Sequence, residues 1–174
     1  SPFKGNVDLG ALEALIQRVG ADRIPYVCIA GTVNMAGGQP MSMANTRAVR
    51  ELTARHGIRV MLDATRAVEN AYFIQQREAG YRDKPVAEIL REYCSYTDGC
   101  TMSGKKDSLV NIGGWLALND PHLYEEASNL VVVYEGLHTY GGMAGRDMEA
   151  VAVGLREMMN PDLLAWHTTQ LKLL

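Results

Sequence analysis

Short runs rich in β-forming residues recur about every 30 residues in this chain, and helical periodicity fills the intervals between them. Residues 24–30 and 58–62 read as buried strands, 100–102 as part of a third, and 113–118 as a fourth. Leu9, Leu12, Ile16 and Val19 fall at helical spacing within residues 8–19, with Gly20 placed to cap the end. Ser42 suits the N-cap of a helix running to about residue 56, with Ala48, Val49 and Leu52 on one face and Gly57 as its stop. Residues 66–79 and 86–96 carry two more helices, separated by a break at 80–85. Residues 121–130 and 146–159 carry another two, residues 131–134 read as a brief β-prone run, and Pro161 precedes a last helical segment. Strands alternating with helices predict an α/β domain, built as a mostly parallel sheet with helices on both faces.

In such a sheet a ligand sits at the carboxyl ends of the strands. The chain sends Asn34 past the first strand, Asp63, Thr65 and Arg66 past the second, and Ser103, Gly104, Lys105 and Lys106 past the third. A lysine held beside another cation has its ammonium form disfavoured, and the free amine attacks carbonyls. Each residue taken singly also has an ordinary explanation. The lysines suit a solvated loop, Asp63 a helix N-cap, Arg66 a surface ion pair, Asn34 a turn, and Ser103 a brace for the turn after it. Their convergence on one rim favours a site. A carboxylate opposite a cationic ring nitrogen, together with a carbonyl-attacking lysine, suits pyridoxal phosphate. Asp63 would then keep the pyridine protonated, Ser103 reach the phosphate, Arg66 and Asn34 bond the ring oxygen, and Thr65 pack on the ring face. A doubly wound signalling module with Asp63 as phosphate acceptor is a second reading from another class.

Composition narrows the partners. The 174 residues suit one domain, or the larger part of one. Net charge is -3 with both signs interspersed, so neither a nucleic-acid footprint nor a membrane-surface patch is expected. No apolar run approaches the roughly 18 residues of a membrane span, and no signal peptide is recognisable. Cys28, Cys94 and Cys100 are an odd number at wide spacing, which argues against a disulfide framework and for a reducing, cytoplasmic setting. His56, His122, His138 and His167 show no ligand spacing with one another or with the cysteines. The opening Ser1-Pro2-Phe3 lacks a methionine, and apolar residues in the closing run 166–174 need something to pack on. A piece of a longer polypeptide is the expectation.

Three stretches carry a resemblance: Thr101-Met-Ser-Gly-Lys-Lys-Asp107, Asp63-Ala-Thr-Arg-Ala-Val-Glu-Asn-Ala-Tyr-Phe73 and Asn34-Met-Ala-Gly-Gly-Gln-Pro40. The chain resembles the β-eliminating lyases over essentially its whole length. With Ser-Gly-Lys-Lys and Asp-Ala-Thr-Arg at the two key places, it is similar to the tyrosine phenol-lyase branch rather than the tryptophanase branch. The resemblance implies an aspartate-aminotransferase-like (fold type I) domain and pyridoxal-phosphate-dependent cleavage of L-tyrosine to phenol, pyruvate and ammonia. A tryptophanase, or another eliminating lyase, is the nearest alternative. It further implies that Lys106 binds the cofactor and moves the α-proton, with Lys105 as its cationic neighbour. Asp63 pairs with the ring nitrogen, Asn34 and Arg66 with the ring oxygen, and Ser103 with the phosphate, while Thr65 lies against the ring. A monovalent cation, usually potassium, is expected at a subunit interface on the backbone carbonyl of Asn111, in a homotetramer. The family polypeptide is much longer, so the chain would be part of the large domain, with the N-terminal part and the small C-terminal domain missing. Alone it would show no turnover. Leu137 stands at a position near the substrate that is often another apolar residue.

Overall fold

Among the described residues four strands form one sheet in the order of the chain: β1 (Tyr26–Ala30), β2 (Arg59–Asp63), β3 (Gly99–Ser103) and β4 (Gly114–Leu118). Among the described residues seven α-helices accompany them: α1 (Leu9–Val19), α2 (Met43–Arg55), α3 (Ala67–Arg77), α4 (Val86–Ser95), α5 (Pro121–Tyr134), α6 (Gly145–Glu157) and α7 (Pro161–Leu171). This computed structural model describes residues 2–137, 139 and 141–171. His138, Ser1 and residues 172–174, which entered the sequence reading, lie outside them.

β1, β2 and β3 are parallel, with Ala30 opposite Asp63 and Asp63 opposite Thr101. A helical crossover joins each parallel pair. β4 runs antiparallel to β3, with Ser103 opposite Gly114. Only residues 104–113 separate those two strands, too few for the dozen or more that a parallel crossover needs. The expected sheet is therefore parallel over three strands and reversed at the fourth.

Ile29, Val60, Leu62 and Met102 point to one face and are buried there against Val49, Val68, Ile74, Ile89 and Tyr93 of α2, α3 and α4. These side chains alternate along their strands with Cys28, Met61 and Thr101, which face the other way, as the two-residue period of a strand requires. That second face carries α5, whose Leu123 and Ala127 meet Met61, Thr101 and Leu116 around an apolar hollow of about 430 Å³.

The helix termini follow the sequence with one exception. The Asn45 amide donates to Ser42 Oγ at the start of α2, as expected. Glu78, past the end of α3, adds both carboxylate oxygens, accepting from the Met43 and Ala44 amides at 2.7 and 2.9 Å. The exception is residues 131–134. They form the last turn of α5, not a strand. Asp120 accepts from the His122 and Leu123 amides, Pro121 fits the first helical position, and propagation then outweighs the β preference of three valines. Among the described residues no helix is long and apolar enough to cross a membrane.

Candidate functional site

The loops leaving β1 and β2 are laced together at the carboxyl edge of the sheet. The Gly31 amide donates to the Asp63 carbonyl, and the Arg66 amide donates to the Gly31 carbonyl at 2.9 Å. Asn34 opens a short 3₁₀ turn (Asn34–Ala36), and Arg66 Nη1 donates to Asn34 Oδ1 at 2.7 Å. Asn70 of α3 holds the far end of the same loop. Its side chain accepts from the Met41 amide at 2.8 Å and donates to the Met41 carbonyl at 3.0 Å, and all these groups are buried.

The loop after β3 carries the lysines and separates them. Lys105 is exposed, whereas Lys106 is half-buried and donates from Nζ to Ser103 Oγ at 3.1 Å. The loop closes on itself, with the Gly104 amide bonded to the Gly113 carbonyl and the Leu109 amide to the Lys106 carbonyl. Leu109 adopts the left-handed region (φ 56°), which is uncommon for a non-glycine residue. α6 presses on the loop at Gly154, where an added Cβ would run into the Ser108 carbonyl oxygen. That contact accounts for a glycine inside a helix, where it costs about 1 kcal/mol relative to alanine.

Asp107 ties this loop to α3. Its Oδ2 accepts from the Val68 amide at 2.9 Å and the Glu69 amide at 3.2 Å. Burial pushes the Asp107 carboxyl up to about 7. The nearby Glu69 carboxylate adds to the rise, and the two amides and Arg66 oppose it. Glu69, also buried, is raised chiefly by desolvation, with His167 and Arg66 pulling the other way. A carboxyl whose folded pKa lies above its unfolded value near 3.9 binds its proton more tightly in the fold. Its contribution is therefore fully present below the unfolded value and is lost as pH rises through about 7. Between pH 4 and 7 the Asp107 share of the slope should approach about 1.4 kcal/mol per pH unit. Asp107→Asn should flatten the denaturant midpoint against pH by that share, and an unchanged profile would refute it.

Two cavities open beside these groups. The smaller, of about 240 Å³, is lined by Arg66, Glu69, Lys106 and Asp107, with Leu164 and His167 of α7 opposite. The larger, of about 540 Å³, is lined by Thr32, Asn34, Gln39, Arg66 and Arg77. The Thr32 hydroxyl lines it, is buried, and has no hydrogen-bond partner among the described residues. An orphaned buried hydroxyl costs free energy unless a ligand or water completes it.

Of the residues expected at the site, Asn34 and Arg66 are in contact, Ser103 and Lys106 are in contact, and Arg66 and Lys106 share the smaller cavity. Asp63 lines neither cavity. It stands at the end of β2 on the sheet face that also takes Thr101 and Ser103, and its Oδ1 accepts from the Thr65 amide at 3.1 Å. Thr65 is half-buried in that turn, and Asn111 is exposed in the loop before β4. The ordinary explanations fare unevenly. Asp63 is not the cap of α3, since Asp107 supplies it, and the side-chain partner of Arg66 is an amide oxygen; Asn34 is a turn residue as that explanation had it, although outside the left-handed region. Asp107 and Thr32 were not foreseen. The signal for Asp107 was an arginine at the head of a helix with no capping side chain of its own.

The donor set fits a phosphorylated pyridine aldehyde: an amine, a guanidinium, a hydroxyl and an amide face the cavities, and the Thr32 hydroxyl lacks a partner. A family model described as beta-eliminating lyase matches residues 1–167. A tyrosine phenol-lyase from Nostoc punctiforme is 69% identical over 173 residues, which cover 99% of this chain and 37% of that protein. Tyrosine phenol-lyases from Symbiobacterium thermophilum and Fusobacterium nucleatum are 64% and 60% identical, each over 99% of this chain and 38% of their own length. The chain thus spans little more than a third of the curated relatives it matches. Among solved structures, an (S)-enantioselective omega-transaminase from Thermomicrobium roseum superposes with a TM-score of 0.54 at 18% identity, over 97% of this chain and 36% of that one. That likeness shows a shared fold.

Proposed function

Because the chain belongs to the β-eliminating lyase family, we propose that it is part of the large, cofactor-binding domain of an enzyme that splits L-tyrosine into phenol, pyruvate and ammonia. The observation that carries this reading is the Lys106 amine, held by Ser103 in a cavity shared with Arg66, which is itself bonded to Asn34. The relatives reported above are named tyrosine phenol-lyases, which supports phenol as the leaving group.

Pyridoxal phosphate, when bound, supplies a sink for the electron pair left as the substrate α-proton departs. Lys106 Nζ would anchor the cofactor and take that proton from the substrate. Lys105 stands beside it as a cationic neighbour. Asp63, which lines neither cavity, would meet the ring nitrogen from the sheet face it shares with Thr101 and Ser103. Arg66 and Asn34 present a preformed donor pair to the ring oxygen, Ser103 takes the phosphate, and Thr65 packs against the ring. The carbonyl of Asn111 is a ligand for potassium in a homotetramer, and the cytoplasm is the compartment of the reading.

The test uses a polypeptide of the relatives' full length. Tyrosine should yield phenol and pyruvate in equal amounts, and the isolated chain should yield neither. Indole from tryptophan with no phenol from tyrosine would transfer the chain to the alternative activity.

A further inference from the structure

We propose that Asp107 is a positioning residue, whose carboxylate supplies from a distant loop the N-terminal cap that α3 lacks and so holds Lys106 in register with Arg66. This rests on the function proposed above for the two basic residues, but the contact itself is independent of it.

A helix leaves its first four amides without partners. Usually the residue at the N-cap accepts one of them with its own short side chain. In α3 that position is Arg66, which makes no capping hydrogen bond. The guanidinium instead reaches Asn34 and the cavity. The amides of Val68 and Glu69, the second and third helical positions, both donate to Asp107 Oδ2. Asp107 lies 39 and 38 residues further along the chain, directly after Lys106. One carboxylate oxygen thus replaces the cap that a functional arginine displaced.

The geometry has a functional consequence. Lys106 is one residue from the anchor and Arg66 two residues from it on the other side, so the two cations span a single hydrogen-bonded bridge. The loop has its own closures at Gly104 and Leu109, but they fix it to β4 and to itself. Asp107 is what fixes it to α3. Both bonds fall on the same oxygen, so an amide side chain at this position, which keeps one acceptor oxygen, should preserve them. Alanine cannot.

The experiment compares wild type, Asp107→Ala and Asp107→Asn in the full-length polypeptide. Amide exchange at Val68 and Glu69 is measured without cofactor. Peptide mapping then gives the ratio of Lys106 to Lys105 modified by formaldehyde with a mild reductant, and borohydride fixation of added pyridoxal phosphate at Lys106. Asp107→Ala should speed exchange at the two amides about tenfold or more, as loss of about 1.4 kcal/mol or more implies. It should also move the Lys106 to Lys105 ratio toward one and slow fixation. Asp107→Asn should stay within about twofold of wild type on all three. Unchanged exchange or an unchanged lysine ratio in a folded alanine variant would overturn the proposal. So would an asparagine variant as impaired as alanine. Should the alanine variant not fold, the asparagine variant decides alone. Failure of wild type to fix the cofactor would sink the proposed function, while the exchange and methylation measurements would still decide the role of Asp107.

Discussion

Lys106→Ala in the full-length enzyme is expected to eliminate borohydride fixation of pyridoxal phosphate and to reduce tyrosine cleavage by about 10³-fold or more, a loss within the range carried by a positioned acid–base group. Lys105→Ala should retain fixation. The structure gives the two lysines different surroundings, although they are adjacent in sequence. Lys106 is half-buried, bonded to Ser103, and lines the cavity with Arg66; Lys105 is exposed and lines neither cavity described above. Fixation that survives loss of Lys106 and disappears with Lys105 would exchange the two roles.

The second large effect is on stability. Asn70→Ala should cost roughly 3–5 kcal/mol, because it strips partners from both the amide and the carbonyl of Met41, and each stranded buried group costs about 1–3 kcal/mol. Asn70 is fully buried, and its side chain is the clamp between α3 and the loop that carries Asn34. The denaturant midpoint should fall with the slope unchanged, and amide exchange across residues 33–41 should accelerate. A loss under about 1 kcal/mol would show that water enters and replaces the amide.

Strand positions were legible because each is a short apolar run between turn residues, and the lysines were conspicuous because charge seldom follows a buried strand closely. The direction of β4 was not read, although the ten-residue gap before it carries the information. Residues 131–134 misled because local preference is weak beside a helix already started at Asp120. The cap on α3 was invisible for a different reason. Its two halves are nearly forty residues apart, and only the folded chain brings them together. Asp63 was placed at its strand end correctly, yet it bonds within its own turn and lies on the sheet face of Thr101 and Ser103, and does not line the cavity of Lys106. The signalling-module reading of Asp63 gives way to family membership.

The reversal of β4 gives the Lys106 amine a suspension from two strands at once. Most residues at the carboxyl edge of a parallel sheet hang from a strand on one side and a long crossover on the other. Lys106 hangs from two adjacent strands, Ser103 to Gly114, within a single short span. The β3–β4 closure is therefore local in sequence, and the contact of Asp107 with α3 adds the one long-range tie that sets Lys106 against Arg66. Segments that touch neither this span nor α3 can then vary without moving the Lys106 amine.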